Sequence, residues 1–157
     1  MLLYRINRLR AVGGGMVLRY CEGQFGVTRR EWVMLALLSS TGPVSSSELA
    51  AHAELDKSAT SKAVTALVDK GLMGRTARAG DRRYAQLELT AAGRDLHDRI
   101  LPVVEGINRE LMSALSADEV AQLDDLLSRI QQRADDLWRE GPGLPRADRR
   151  NGGTRLR

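Results

Sequence analysis

Cysteine is nearly missing from this chain: Cys21 stands alone among 157 residues. A single thiol excludes a disulfide framework within one chain and any zinc site built on cysteines, and it fits a reducing compartment. Histidine is almost as scarce. His52 and His97 are far apart and lack H-x-x-x-H spacing, so no metal site is expected. No run approaches 18 apolar residues, so no membrane span is expected either. The start, MLLYRINRLRAVGGGMVLR, has basic residues but no clean apolar core followed by a cleavage site. That argues against a signal peptide and for a cytoplasmic protein. Neither G-x-S-x-G nor a phosphate-binding loop occurs, because the triplet Gly13-Gly14-Gly15 lacks the lysine and the strand context. With no set of acid, base and nucleophile, neither an enzyme nor a cofactor is expected.

Aromatic residues are few as well, six in all, while leucine and alanine abound, which points to helices. The apolar share of 43% suits one globular domain with a real core. The formal net charge of +4 is unevenly spread: residues 56–83 carry +4 and residues 84–140 carry −6. A polyanion is drawn to the first segment and repelled by the second, although charge blocks are also common on merely solvated faces.

Leu2, Leu3, Ile6, Leu9, Val12, Met16, Val17 and Tyr20 recur at roughly helical spacing, interrupted by Gly13–Gly15. Each glycine costs a helix about 1 kcal/mol relative to alanine. The triplet is therefore a break, a close helix contact, room for a ligand, or a weak spot tolerated in a packed helix. Thr28 with Glu31 forms a capping box and opens a helix that stops at Gly42-Pro43. Ser45 with Glu48 opens a short helix, with a turn at Ala53–Leu55. Asp56 caps the next helix, which ends at Gly71. Alternation at Ala85, Leu87 and Leu89 predicts a strand, and 72–77 is a weaker candidate. A turn at Ala79-Gly80-Asp81 joins them into a hairpin with Arg78, Arg82 and Arg83 at its tip. Thr90 caps a long helix containing Pro102, which is expected to kink it. Ser116 with Glu119 opens the last helix, whose apolar stripe is too rich to leave in water. The Gly/Pro/Arg-rich tail, 141–157, is expected to be disordered.

The helix DKSATSKAVTALVDKGL at 56–72 has an unusual polar side. Advancing 100° per residue from Ser58, the residues Lys62, Thr65 and Asp69 fall within about 40° of it and Ser61 about 60° away. Ala59, Ala63, Val64 and Leu67 fall opposite, and Thr60 joins them. Short hydroxyl side chains let a helix backbone approach base edges in a DNA major groove, and Lys62 can donate to guanine O6 or N7. Such a helix also occurs on ordinary surfaces. Its neighbours sharpen the reading: a compact helix before it, and an arginine-tipped hairpin after it that suits a narrow minor groove. The combination is a winged helix-turn-helix.

These residues resemble the MarR family of bacterial transcription regulators. The resemblance is carried by SELAAH at 47–52, DKSATSK at 56–62, DKGLM at 69–73, DRR at 81–83 and LTAAGR at 89–94, in register over residues 1–140. It implies a mainly α fold with a small β-hairpin wing and a helical dimerisation region drawn from both termini. The expected layout is a single domain, 1–140, with a DNA-binding lobe at 28–89 and dimerisation helices at 1–27 and 90–140. It further implies a homodimer acting on a pseudo-palindromic operator in double-stranded DNA, as a ligand-responsive repressor. Carried over, Ser58, Ser61 and Lys62 face the groove; Thr65, on the same side of the helix, and Lys57 are further DNA-binding candidates. Arg83 is the wing arginine, held by Asp56 and Asp81, while Arg78 and Arg82 serve phosphates. The sequence departs from the family pattern at Glu54, where a turn glycine is common, at Lys62, where arginine is common, and in the glycine triplet. A small aromatic effector is a possible further partner, with Trp32, Met34, Met16 and the glycine gap as candidate lining or, alternatively, ordinary core. Cys21 reads as a buried or incidental thiol rather than an oxidant sensor. The rival reading is a winged-helix protein-interaction module without specific DNA binding.

Overall fold

The computed structural model of the chain describes residues 1–53, 57–78, 81–141 and 143; for residues 57, 77, 78 and 81–85 the description is of the backbone alone. Six helices and three strands are found among them: α1 (Leu2–Gln24), α2 (Arg29–Thr41), β1 (Val44–Ser45), α3 (Ser46–His52), α4 (Lys57–Asp69), β2 (Met73–Arg78), β3 (Asp81–Leu89), α5 (Ala91–Met112) and α6 (Ala117–Glu140). The fold is mostly helical with one small antiparallel sheet, as the sequence implies. The described residues divide into two compact units, one up to Ile107 and one from Asn108. The tail expected to be disordered lies outside the described residues apart from positions 141 and 143. No helix among the described residues is long and apolar enough to cross a membrane.

All three capping boxes form. Thr28 Oγ1 accepts from the Glu31 N–H at 3.2 Å, and the Glu31 carboxylate accepts from the Thr28 N–H at 2.6 Å. Ser45 with Glu48 and Ser116 with Glu119 repeat the exchange. Each box satisfies backbone donors that a helix start otherwise leaves unpaired. At the other ends, α2 stops at Gly42 (φ +73°) and α4 runs out at Gly71 (φ +69°), left-handed positions that glycine occupies without strain.

The glycine triplet does not break α1, which is helical throughout. Gly13 is buried, and a Cβ on Gly14 would stand 3.0 Å from Cζ of Arg29, the far end of a flexible side chain that can move aside. Around Gly15 a Cβ would meet nothing within 4 Å.

The core of the first unit gathers Met34 and Leu35 from α2, Leu49 from α3, Val64 and Leu67 from α4, Met73 and Leu87 from the sheet, and Ile100 from α5. In the sheet the strand order is β1-β3-β2, antiparallel throughout. Three details differ from expectation. The two-residue β1 was not foreseen; it pairs Val44 with Leu87 and Ser45 with Gln86. β2 begins at Met73 rather than Leu72. β3 begins at Asp81, well before the alternating stretch, so Asp81 belongs to a strand and not to the turn. Asp81 pairs with Arg78 of β2, and that pairing rather than a polarity pattern sets where β3 begins.

Thr90 caps α5 as predicted, its Oγ1 accepting from the Gly93 N–H at 3.0 Å. The same hydroxyl donates to the Gly71 carbonyl at 2.7 Å, and the Thr90 N–H donates to Leu72 O at 3.2 Å. Gly93 then lies so close that an added Cβ would fall 2.0 Å from Leu72 O. Arg94 closes the arrangement with a 2.6 Å bond to Leu89 O. The sequence LTAAGR is thus a stitch fastening the start of α5 to the exit of α4. In the second unit, α6 has no buried residue; Leu126, Leu127, Ile130, Leu137 and Trp138 are exposed.

Candidate nucleic-acid interface

α4 has no glycine or proline within it, and its alanines favour the helix. Its apolar side, Ala63, Val64 and Leu67, is buried, and Thr60 is only 1% exposed, as the wheel predicts. That side packs on α2 and α3. The opposite side is free: Ser58, Ser61, Lys62 and Thr65 are all exposed, in one row of short hydroxyls and a lysine. Lys57 occupies the first position of the helix. Asp56 lies outside the described residues, and so does the predicted turn around Glu54 and Leu55.

Beside α4 stands the β2–β3 hairpin. Arg78 ends β2 directly across from Asp81 at the start of β3, after a register irregularity between Ala77 and Arg78. Arg82 and Arg83 follow within β3. The backbone therefore brings the three arginines to one end of the hairpin. The ion pairs expected of Asp56 and Asp81 with Arg83 rest on Asp56, outside the described residues, and on Asp81 and Arg83, of which the backbone alone is described.

At the exit of α4 the structure makes a contact that sequence reasoning missed. Lys70 Nζ lies 2.8 Å and 3.0 Å from the two oxygens of Glu31 and donates to the Gly26 carbonyl at 2.9 Å. Glu31 is 3% exposed. The capping box had marked Glu31 and the DKGLM motif had marked Lys70, but no local pattern joins a residue just past α4 to one on α2.

An open cavity of about 770 Å³ is lined by Arg10, Leu18 and Glu22 of α1, by Thr28, Arg29, Arg30 and Val33, and by Ala53 at the end of α3. The residues offered above as candidate lining or ordinary core lie elsewhere. Met34 is fully buried in the core, Met16 is exposed on α1, and Trp32 is buried and stacks on His97 with ring centroids 5.5 Å apart. None of these three residues lines the cavity. The period of an apolar helix face shows which residues go inward; it does not show where packing leaves a gap. Cys21 is fully buried, in keeping with the plain reading of a lone thiol. Burial pushes its pKa up, the Glu22 carboxylate adds to the rise, and Arg29 opposes it.

A thin polar helix face beside an arginine-bearing hairpin, behind a compact capped helix, defines a winged helix-turn-helix, a DNA-binding class. Comparison with known proteins agrees. The MarR family model matches residues 27–84. An HTH-type transcriptional repressor of Mycobacterium tuberculosis is 31% identical over 133 residues, 82% of this chain and 90% of the relative. A probable transcriptional regulator from Pseudomonas aeruginosa superposes with a TM-score of 0.66 at 26% identity, over 83% of this chain and 99% of that one. A variant of MarR from E. coli, solved in complex with operator DNA, shares the fold with a TM-score of 0.73 at 24% identity, over 82% of this chain and 92% of that one. The chain belongs to the MarR family and is a DNA-binding regulator of transcription.

Proposed function

We propose that the chain is a repressor that binds a pseudo-palindromic operator in double-stranded DNA as a homodimer and releases it when a small aromatic effector binds. The observation that carries this reading is the exposed row Ser58, Ser61, Lys62 and Thr65, opposite a face of α4 fully committed to the core. In this reading Lys62 reads a guanine edge, Ser58, Ser61 and Thr65 contact bases or phosphates, and Lys57, Arg78 and Arg82 hold phosphates. Arg83 enters the minor groove, oriented by Asp56 and Asp81 through charge-assisted hydrogen bonds. Two copies are needed because α6 leaves Leu126, Leu127 and Ile130 in water, a face suited to a second chain. For the effector, the arginines of the cavity offer a carboxylate its partners, and Leu18 and Val33 offer an aromatic ring apolar walls. Such an effector acts only if it prefers a dimer geometry that misfits the operator. A protein working on chromosomal DNA in this way is placed in the cytoplasm.

The test is a mobility-shift titration on the DNA upstream of the protein's own gene, repeated at rising salt. Affinity is expected to fall steeply with ionic strength as phosphate contacts release counterions. Arg83→Ala is expected to weaken binding at least tenfold, and Lys62→Ala to cost about 1–3 kcal/mol while relaxing base preference at one position per half-site. Near-native affinity of Arg83→Ala removes the wing assignment. A wild-type protein with no specific DNA affinity favours the protein-interaction module instead.

A further inference from the structure

The Lys-Gly-Leu exit of α4 contains a charged side chain that the DNA-facing row does not use. Lys70 reaches away from that row to α2, where its ammonium meets both oxygens of the nearly buried Glu31 and the carbonyl of Gly26. Glu31 is itself fixed from the other side, because one of its oxygens also accepts from the Thr28 N–H in the capping box. One carboxylate therefore ties the end of α4 to the first turn of α2. The next two residues are tied independently: Gly71 O and Leu72 O both bond Thr90 at the start of α5. With its buried side packed on α2 and α3, α4 is then held at its exit by two clamps on different helices. A long helix pinned at one end turns a small slip there into a larger displacement at the other, where Ser58 and Ser61 lie. The buried carboxylate has strong reason to hold its partner, since an uncompensated charge in that position is costly.

We infer that Lys70 and Glu31 form a positioning pair that sets operator affinity by fixing the pitch of α4, without touching DNA. The inference rests on the DNA-binding reading above. Lys70 is expected to act unlike any phosphate-binding lysine: its loss lowers affinity but leaves the salt dependence of binding unchanged.

The experiment uses the full chain and a duplex that the wild-type protein selects from a random-sequence pool. Affinity is measured across a salt series for wild type, Lys70→Met, Lys70→Arg, Glu31→Gln and the double variant Glu31→Gln/Lys70→Met. Glutamine retains the capping geometry at the third helical position while losing the charge, so α2 stays capped even if Lys70→Met folds poorly. A core variant on α5, Ile100→Val or Ile100→Ala, chosen to match the thermal midpoint of the single variants, controls for stability alone. Lys70→Met and Glu31→Gln are each expected to weaken binding about tenfold at unchanged salt slope. The double variant is expected to lose no more than either, Lys70→Arg to recover most of the affinity, and the stability-matched control to bind within twofold of wild type. Affinity of both single variants within twofold of wild type overturns the inference, as does an equal loss in the control. A salt slope reduced by about one in Lys70→Met also overturns it, by making Lys70 a phosphate ligand. A wild-type protein that selects no duplex overturns the DNA-binding reading, and the inference with it.

Discussion

Residues with no special place in the sequence pattern turn out to set close tolerances. Gly93 reads from sequence as one letter of a motif. In the structure it is the point where α5 touches the backbone at Leu72, with no room for even a methyl group. Gly93→Ala is expected to force α5 away from the α4 exit and to destabilise the protein by about 1–3 kcal/mol or more, measured by urea denaturation. Gly106, where a Cβ would meet nothing within 4 Å, supplies the control: there alanine is expected to be neutral or mildly stabilising. Cys21 carries a second residue-scale expectation. Its pKa is raised, chiefly by burial, so the reactive thiolate is scarcer in the folded state than in the unfolded one. A folded pKa above the unfolded one also means that stability from this group is complete at neutral pH and declines only as pH rises through the alkaline thiol range. A disulfide reagent is therefore expected to label Cys21 slowly in native protein and at once in urea; rapid native labelling refutes the burial.

At the scale of elements, the helices were legible because each start is written locally. A serine or threonine followed three residues later by glutamate says where a helix begins, and an apolar period says which side goes in. For that reason Thr28, Ser45 and Ser116, and the exposed row of α4, were placed correctly. What sequence could not give was set by contacts between distant segments. β1, and the start of β3 at Asp81, are set by the strands that pair with them. The Glu31–Lys70 pair spans 39 residues, and the cavity lining depends on how α1, α2 and α3 meet. The cap of α6 offers a pH test. Hydrogen bonds from the Ser116 N–H and hydroxyl hold the exposed Glu119 carboxyl below the usual range. Because the folded pKa is depressed, the stabilisation is present above the unfolded pKa and is lost as pH falls through the folded one. The gap in thermal midpoint between wild type and Ser116→Ala is expected to narrow steadily on acidification through the carboxylate range. A gap independent of pH sinks that account.

For the whole molecule, the feature with the widest consequence is the exposed apolar face. α6 has no buried side chain and exposes Leu126, Leu127, Ile130, Leu137 and Trp138. If these seat a second copy, Ile130→Glu is expected to convert a dimer into a monomer by sedimentation and to weaken operator binding at the same time, since one recognition helix replaces two. Dimeric sedimentation of that variant removes α6 from the interface. α1 presents the same problem at the other end of the chain. Residues 2–12 bury no side chain, and three consecutive glycines follow, so no core packing holds that half helical. The backbone amides of residues 2–12 are therefore expected to exchange with deuterated solvent quickly in dilute solution. They are expected to become protected as the protein is concentrated, so that this one segment reports how many chains have found each other.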